Sequence, residues 1–259
     1  MALTREMSGR ESTPGRRPAA PDHRTRVGAM RRERMRMRLI EAAMLVFARR
    51  GVEGGVIDEV IATAEVSRGS FYNHFRTHDE LLGAVAEEVG NQLLEIVDPV
   101  IRTIDDPAAR VACGVRLTLA VARAHPHLAA FLARVGPPAL GAQSLATEVV
   151  PRDIREGIAS GRFAPIDPRL AFDLISGPVL AGFHTLLSTP VAESYPADMA
   201  AAILQALGVA KATARRLAEL PLPDIALAPD SLLVRAEARA ARLALEPRPP
   251  APPAPPPPR

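Results

Sequence analysis

Tryptophan is absent from this chain, cysteine and lysine occur once each, and aromatic residues make up only 3% of it. One cysteine excludes a disulfide scaffold and a thiolate zinc module, because both need several sulfurs. Cys113 lies in an apolar helical stretch with no second cysteine near it and reads as a buried, inert thiol. The sequence lacks a Walker loop, a Gly-x-Gly-x-x-Gly following a strand, a nucleophile elbow and a metalloprotease helix, so an enzyme is not expected, nor any catalytic residue, cofactor or metal. The glycines at 51, 54 and 55 follow a helical pattern and read as a turn. The opening residues, MALTREMSGRESTPGRR, have no apolar stretch of the kind a secretory signal needs. No uncharged apolar run approaches the ~18 residues of a membrane span. The expectation is a cytoplasmic protein without a membrane partner.

What is present is unevenly distributed. The chain of 259 residues has a net charge of +3, but residues 1–50 contain 13 arginines against five acidic groups and carry +8, leaving the remainder at −5. A basic front on a mildly acidic body suggests a polyanionic partner for the front alone. Residues 1–28 combine Gly, Pro, Ser, Thr and Arg without apolar periodicity, the composition of a disordered basic tail. At the other end, 12 of the 26 prolines fall between Pro221 and Arg259, so 223–259 reads as a Pro-rich, mostly disordered tail of polyproline II character. Within it, Ser231 to Glu246 could form one amphipathic helix capped by Ser231, marginal in isolation.

Between the tails, Ala, Leu, Arg and Glu dominate, apolar residues recur at three and four, and no alternating strand pattern appears, which predicts an all-α chain. A first helix places Met35, Leu39, Ala43, Val46 and Phe47 on one face and stops before Gly51. A short helix fits VIDEVIATAEV, Ser67 caps another, and a break at Arg76-Thr77-His78 precedes a longer one. Two short helices joined by a tight turn make a helix-turn-helix candidate. Phe71 and Phe75, four apart, point inward to pack on the first helix, and Arg68, Gly69, Tyr72 and Asn73 face outward. Arg68 suits a bidentate contact to guanine and Asn73 one to adenine. Ser70 can reach a base edge or phosphate, Gly69 permits close backbone approach, and Tyr72 and His74 can donate to phosphate. The helix start at His78 offers free backbone donors to the duplex. His74 and His78 are four apart but separated by a helix break with no third ligand near, so a metal pair is set aside in favour of DNA contact or packing.

The stretch from Arg38 to Leu82, through LIEAAMLVFARRGVEGG, VSRGSFYNHF and HDELL, resembles the DNA-binding domain of the TetR family of transcriptional regulators. The resemblance implies an N-terminal three-helix helix-turn-helix domain over 29–78 and a helical effector-binding and dimerisation domain over 79–222. It implies a DNA-facing set of Val56, Ser67, Arg68, Gly69, Ser70, Tyr72, Asn73, His74 and His78. Three departures stand out. Gly55 occupies the place of a capping, phosphate-touching Thr; Glu65 replaces a turn Gly where positive φ is easiest; and His78 replaces a Lys, which would make that contact pH-dependent.

The resemblance continues more diffusely to about Leu222, with a Gly177-Pro178 break in a long helix opened by Asp167-Pro168. It implies a homodimer built on the last two long helices, with Ala171, Gly177, Ala181, Gly182 and Ile203 at the interface. It also implies a cavity at which His125, Phe131, Phe172, Phe183 and His184 are candidates; core packing explains the phenylalanines equally well. Few aromatics suggest an aliphatic cavity and an apolar effector. The functional expectation is a homodimeric repressor that binds a palindromic double-stranded DNA operator and leaves it when a small molecule binds. The alternatives are a ligand-independent regulator, a protein-interaction module acting through the Pro-rich tail, and a relative that has lost DNA binding.

Overall fold

The computed structural model describes residues 23–135 and 146–245, which are helices and connecting turns with no strand among them. In chain order the helices are α1 (His23–Arg50), α2 (Ile57–Ala64), α3 (Arg68–Tyr72), α4 (His78–Ile101), α5 (Pro107–Ala124), α6 (Pro126–Val135), α7 (Ala146–Ala159), α8 (Pro168–Ser188), α9 (Tyr195–Ala206), α10 (Lys211–Ala218) and α11 (Leu232–Leu245). Residues 23–35 are helical and belong to one unit. The chain from Arg36 onward forms a second unit, which contains all the contacts below.

Local chemistry explains the helix starts. The Ser67 hydroxyl accepts from the Ser70 N–H at 3.1 Å and Thr77 from the Glu80 N–H at 3.1 Å, while Glu80 accepts in return from the Arg76 N–H at 2.8 Å. Asp106 caps α5 through the Ala108 N–H, and Asp167 caps α8 through the N–H groups of Arg169 and Leu170. Each cap satisfies donors that a helix N-terminus otherwise leaves open, worth about 1 kcal/mol. α2 has no side-chain cap, since its N-cap is Val56, one residue after Gly55, and it begins with Asp58 and Glu59 against its positive end. Gly51 stops α1 at φ +94°, a conformation that favours glycine.

α5 is the axis of the body. It is apolar nearly all round, which suits a helix surrounded by others, and it packs on α4, α6, α7, α8, α9 and α10. One buried cluster runs from Leu39 on α1 through α5 to Ala236 on α11. Cys113 is buried on α5, and burial pushes its thiol pKa up.

Several expectations need correction. Helix α1 starts at His23, inside the segment expected to be a disordered tail; 1–22 lie outside the described residues, as do 246–259. The Gly177-Pro178 pair does not break α8, which runs through it. Proline there removes the one bond that would reach back to Leu174, a cost the rest of a 21-residue helix absorbs. The segment 223–245 is ordered: α11 buries Leu232, Leu233 and Ala236 against the rest of the chain. Packing supplies what an isolated amphipathic helix lacks, and Ser231 accepts from the Val234 N–H at 3.3 Å as its cap. Apart from these corrections, α8 is long and apolar enough by length and composition alone to cross a membrane, a test that helices of soluble proteins also pass.

Candidate DNA interface and ligand cavity

The α2–turn–α3 segment divides by helical phase. Phe71 and Phe75 are buried, with ring centroids 6.2 Å apart, and fix α3 in the core cluster. Ser67, Arg68, Gly69, Tyr72 and Asn73 are exposed, and Ser70 and His74 are half-buried beside them. Tyr72 is a large aromatic left 47% exposed, its ring edge-on to Phe71 at 5.2 Å, so it is both braced and available. Arg68 extends from the N-terminal end of α3 to Asp58 on α2 at 2.5 Å. A side chain added at Gly69 would meet nothing closer than the Ser67 hydroxyl at 3.9 Å, so this position lies open for close approach from outside.

Two members of the expected DNA-facing set lie elsewhere. Val56 is buried at the start of α2, where its carbonyl accepts from the Val60 N–H at 3.0 Å, so its side chain belongs to the core. The His78 ring is turned inward, edge-on to Phe47 at 5.5 Å, and its Nε2 is buried with no hydrogen-bond partner among the described residues. Its Nδ1 lies 3.2 Å from Asp79. An imidazole packed this way does not stand in for a phosphate-seeking lysine.

The turn contains the most unusual backbone in this region. Glu65 has φ 54° and ψ 49°, and its N–H bonds the carbonyl of Ala62. Left-handed backbone costs a residue with a Cβ roughly 1 kcal/mol or more. Two guanidiniums meet the Glu65 carboxylate, Arg38 at 3.0 Å and Arg242 of α11 at 2.7 Å.

Within the body, a cavity of about 150 Å³ opens between α4, α5, α7 and α8. Its wall is mostly apolar and includes Leu93, Val97, Val115, Val179, Phe172 and Phe183, while Thr118, Ser176, Arg110 and Asp153 supply polar groups. Of the five pocket candidates, Phe172 and Phe183 line it. Phe131 instead packs in the core against Phe47 at 6.1 Å. His125 ends α5 with its Nδ1 buried and without a hydrogen-bond partner among the described residues, and His184 is exposed on α8.

Arg110 and Asp153 are only 6% and 3% exposed and form a polar end on a cavity whose wall is otherwise mostly apolar. Arg110 donates to Asp153 at 3.1 Å, to the carbonyls of Ile104 and Asp105, and to Glu156. Arg152 bridges Asp153 at 3.0 Å and Asp98 at 2.8 Å, and these partners raise its pKa, the Asp153 hydrogen bond foremost. Removing one partner of a buried pair typically costs ~3–5 kcal/mol. Sequence reasoning missed this group; the available signal was a lone Arg in the apolar run PAARVACGV.

The expected dimer residues also divide. Gly177 and Ala181 are exposed on α8, in one stripe with Leu170 and His184. Ala171, Gly182 and Ile203 are buried inside the chain and unavailable to a partner. A side chain on Gly182 would come within 2.9 Å of Leu119.

An all-helical chain with an outward-facing helix-turn-helix and a cavity-bearing body defines a DNA-binding transcription regulator. Residues 39–85 match the model of bacterial regulatory proteins of the tetR family, and 106–220 match the tetracyclin repressor-like C-terminal domain. RolR in complex with resorcinol is 34% identical, superposes with a TM-score of 0.63, and is covered over 100% of its length by 76% of this chain. RolR without ligand gives 32% identity and a TM-score of 0.61, over 74% of this chain and 100% of RolR. The HTH-type transcriptional repressor DhaR of Mycobacterium sp. (strain GP1) is 33% identical over 81 residues, 31% of this chain and 41% of DhaR, so the match spans less than half of that relative. The chain belongs to the TetR family of transcriptional regulators.

Proposed function

We propose that the protein is a homodimeric repressor that binds a palindromic operator through Arg68, Tyr72 and Asn73 and leaves it when a small molecule enters the α4–α5–α7–α8 cavity. The observation that carries the reading is α3 itself, anchored by buried Phe71 while Arg68, Tyr72 and Asn73 remain exposed side by side. Arg68 and Asn73 suit guanine and adenine edges, and Tyr72 suits a phosphate oxygen. One such short helix covers little DNA, so two heads about 34–36 Å apart would read the two halves of a palindrome. The α8 stripe of Leu170, Gly177 and Ala181 supports pairing with a second copy, because its small residues allow close helix approach.

The cavity fits a molecule about the size of one aromatic ring, since an apolar cavity near 150 Å³ accommodates benzene. Its Arg110–Asp153 end favours a ligand with a hydroxyl group, and RolR, which is bound to resorcinol in its complex, supports that class. Effector release then acts as a shift between DNA-competent and incompetent dimers.

The deciding experiment measures binding to the gene's own upstream intergenic DNA across a salt series, for wild type and an Arg68→Ala, Tyr72→Ala double variant. Salt-sensitive, sequence-specific binding that the variant loses supports the reading. Wild-type binding no better than to random DNA rules out an autoregulatory operator.

A further inference from the structure

The family's C-terminal domain ends at residue 220, yet the described chain continues to Leu245 and ends in α11. The apolar side of α11 is buried, and its polar side grips two parts of the molecule at once. Toward the DNA-reading head, Arg239 donates to Glu41 on α1 at 2.5 Å and to the carbonyl of Thr63 in α2 at 2.6 Å. Arg235 donates to the other oxygen of Glu41 at 3.2 Å, and Arg242 reaches Glu65 in the turn at 2.7 Å. Toward the body, the Leu232 N–H donates to the Gln92 side chain on α4 at 3.0 Å. Glu237 meets the His127 ring on α6 at 2.7 Å and accepts from its backbone N–H at 3.3 Å.

We propose that α11 is a clamp that fixes the orientation of the helix-turn-helix head on the body and so preorganises it for its operator, with Arg239 and Arg242 as positioning residues. The inference rests on reading the α3 face as the DNA contact. Three observations carry it. Glu41 is 6% exposed, and a carboxylate at that depth needs the guanidiniums of Arg235 and Arg239, so docking of α11 is built into the head's own interior. Glu65 holds a left-handed conformation and is met from α11 by Arg242, which ties the turn before the recognition helix to the clamp. Arg68, Tyr72 and Asn73 are exposed with α11 in place, so the clamped form leaves the reading face clear.

α4 lines the cavity and is tied to α11 through Gln92, so the clamp joins a cavity-lining helix to the head by a route separate from the α3–α4 connection. Without the clamp the head samples additional orientations, and apparent affinity falls by the fraction that remains competent.

The test uses the full chain. An Arg239→Ala, Arg242→Ala variant is compared with wild type; a triple variant adds Glu41→Gln, which removes a buried charge left with Arg235 as its one guanidinium partner, should the double variant fail to fold. A chain ending at Glu246 controls for loss of the Pro-rich segment. Amide hydrogen exchange is followed in 57–66 and in 108–122, and affinity is measured for a DNA fragment that wild type selects from a random pool. The expected result is exchange accelerated about tenfold in 57–66 with 108–122 unchanged, and binding about tenfold weaker at a temperature where all chains are folded. Unchanged exchange in 57–66, or equal acceleration in both segments, overturns the clamp; so does unaltered or tighter binding. If wild type enriches no sequence, the reading of the α3 face fails and preorganisation for DNA fails with it, while exchange separately decides whether α11 holds the head.

Discussion

Arg68 and Asp58 form an ion pair of 2.5 Å between the start of α3 and the first turn of α2, with both side chains largely exposed. The guanidinium proposed to read guanine therefore has an internal partner that DNA would have to displace. An exposed pair is worth ~0–1 kcal/mol, less than the ~1–3 kcal/mol of discrimination a good bidentate base contact provides. Asp58→Asn should tighten binding severalfold to specific and random DNA alike, because it removes both a competitor and a negative charge near the duplex. Arg68→Ala should cost ~1–3 kcal/mol and flatten discrimination at one base pair. Fluorescence anisotropy with single-base operator variants checks both; an equal loss on every sequence would make Arg68 a phosphate contact.

A charge placed in the α8 stripe tests pairing. Ala181 is exposed within the chain, so Ala181→Glu should leave monomer stability within ~0.5 kcal/mol. Sedimentation velocity should show monomers at concentrations where wild type is dimeric, with operator binding lost. A monomeric wild type would remove this interface from consideration.

The cavity permits a gain-of-bulk experiment. Val179→Trp should fill much of the 150 Å³ and cost ~1–3 kcal/mol through overpacking, while leaving DNA binding intact. Phenol, catechol and resorcinol are suitable probes: at least one should raise the wild-type melting temperature by binding the folded state, and none should shift the variant. A shift of equal size in both proteins would place the site elsewhere.

Asp106 predicts an acid-sensitive step. Burial pulls its carboxyl upward, but hydrogen bonds from Arg162 and the Ala108 N–H, with the Arg162 charge, outweigh this and hold it below its ordinary 3.8. A carboxyl whose folded pKa is depressed adds stability above its unfolded pKa and loses it as pH falls through the folded value, here below about pH 4. Asp106→Asn keeps the cap but loses the Arg162 ion pair, so it should lower stability by up to ~1 kcal/mol at neutral pH and flatten the decline of melting temperature in that acid window. Parallel wild-type and variant curves below pH 4 would show that other carboxylates dominate.

Much of the DNA-reading head was legible because its signals are local. Ser67 as cap, Phe71 and Phe75 at helical spacing, and Gly51 as a stop each act within one turn of chain. Glu65 was legible as strain, but its partner Arg242 lies 177 residues away and no periodicity announces it. His78 was misread for the same reason: whether an imidazole seeks phosphate or packs on Phe47 depends on the space left by α1 and α4. Val56 entered the DNA-facing set through the family resemblance alone, whereas here its side chain fills the core. In the body, spacing located α8 but could not say which of its small residues face inward. Gly182 and Ala171 turned in; Gly177 and Ala181 turned out.

Cys113, buried on α5 beside residues that wall the cavity, makes the chain a clock with a single hand. A thiol reagent has one place to react and cannot reach it while α5 stays covered, so the rate of modification measures how often the body opens. No labelling position has to be engineered and none has to be removed. Any small molecule that settles into the cavity should announce itself by slowing that reaction, before its identity or its effect on DNA is known.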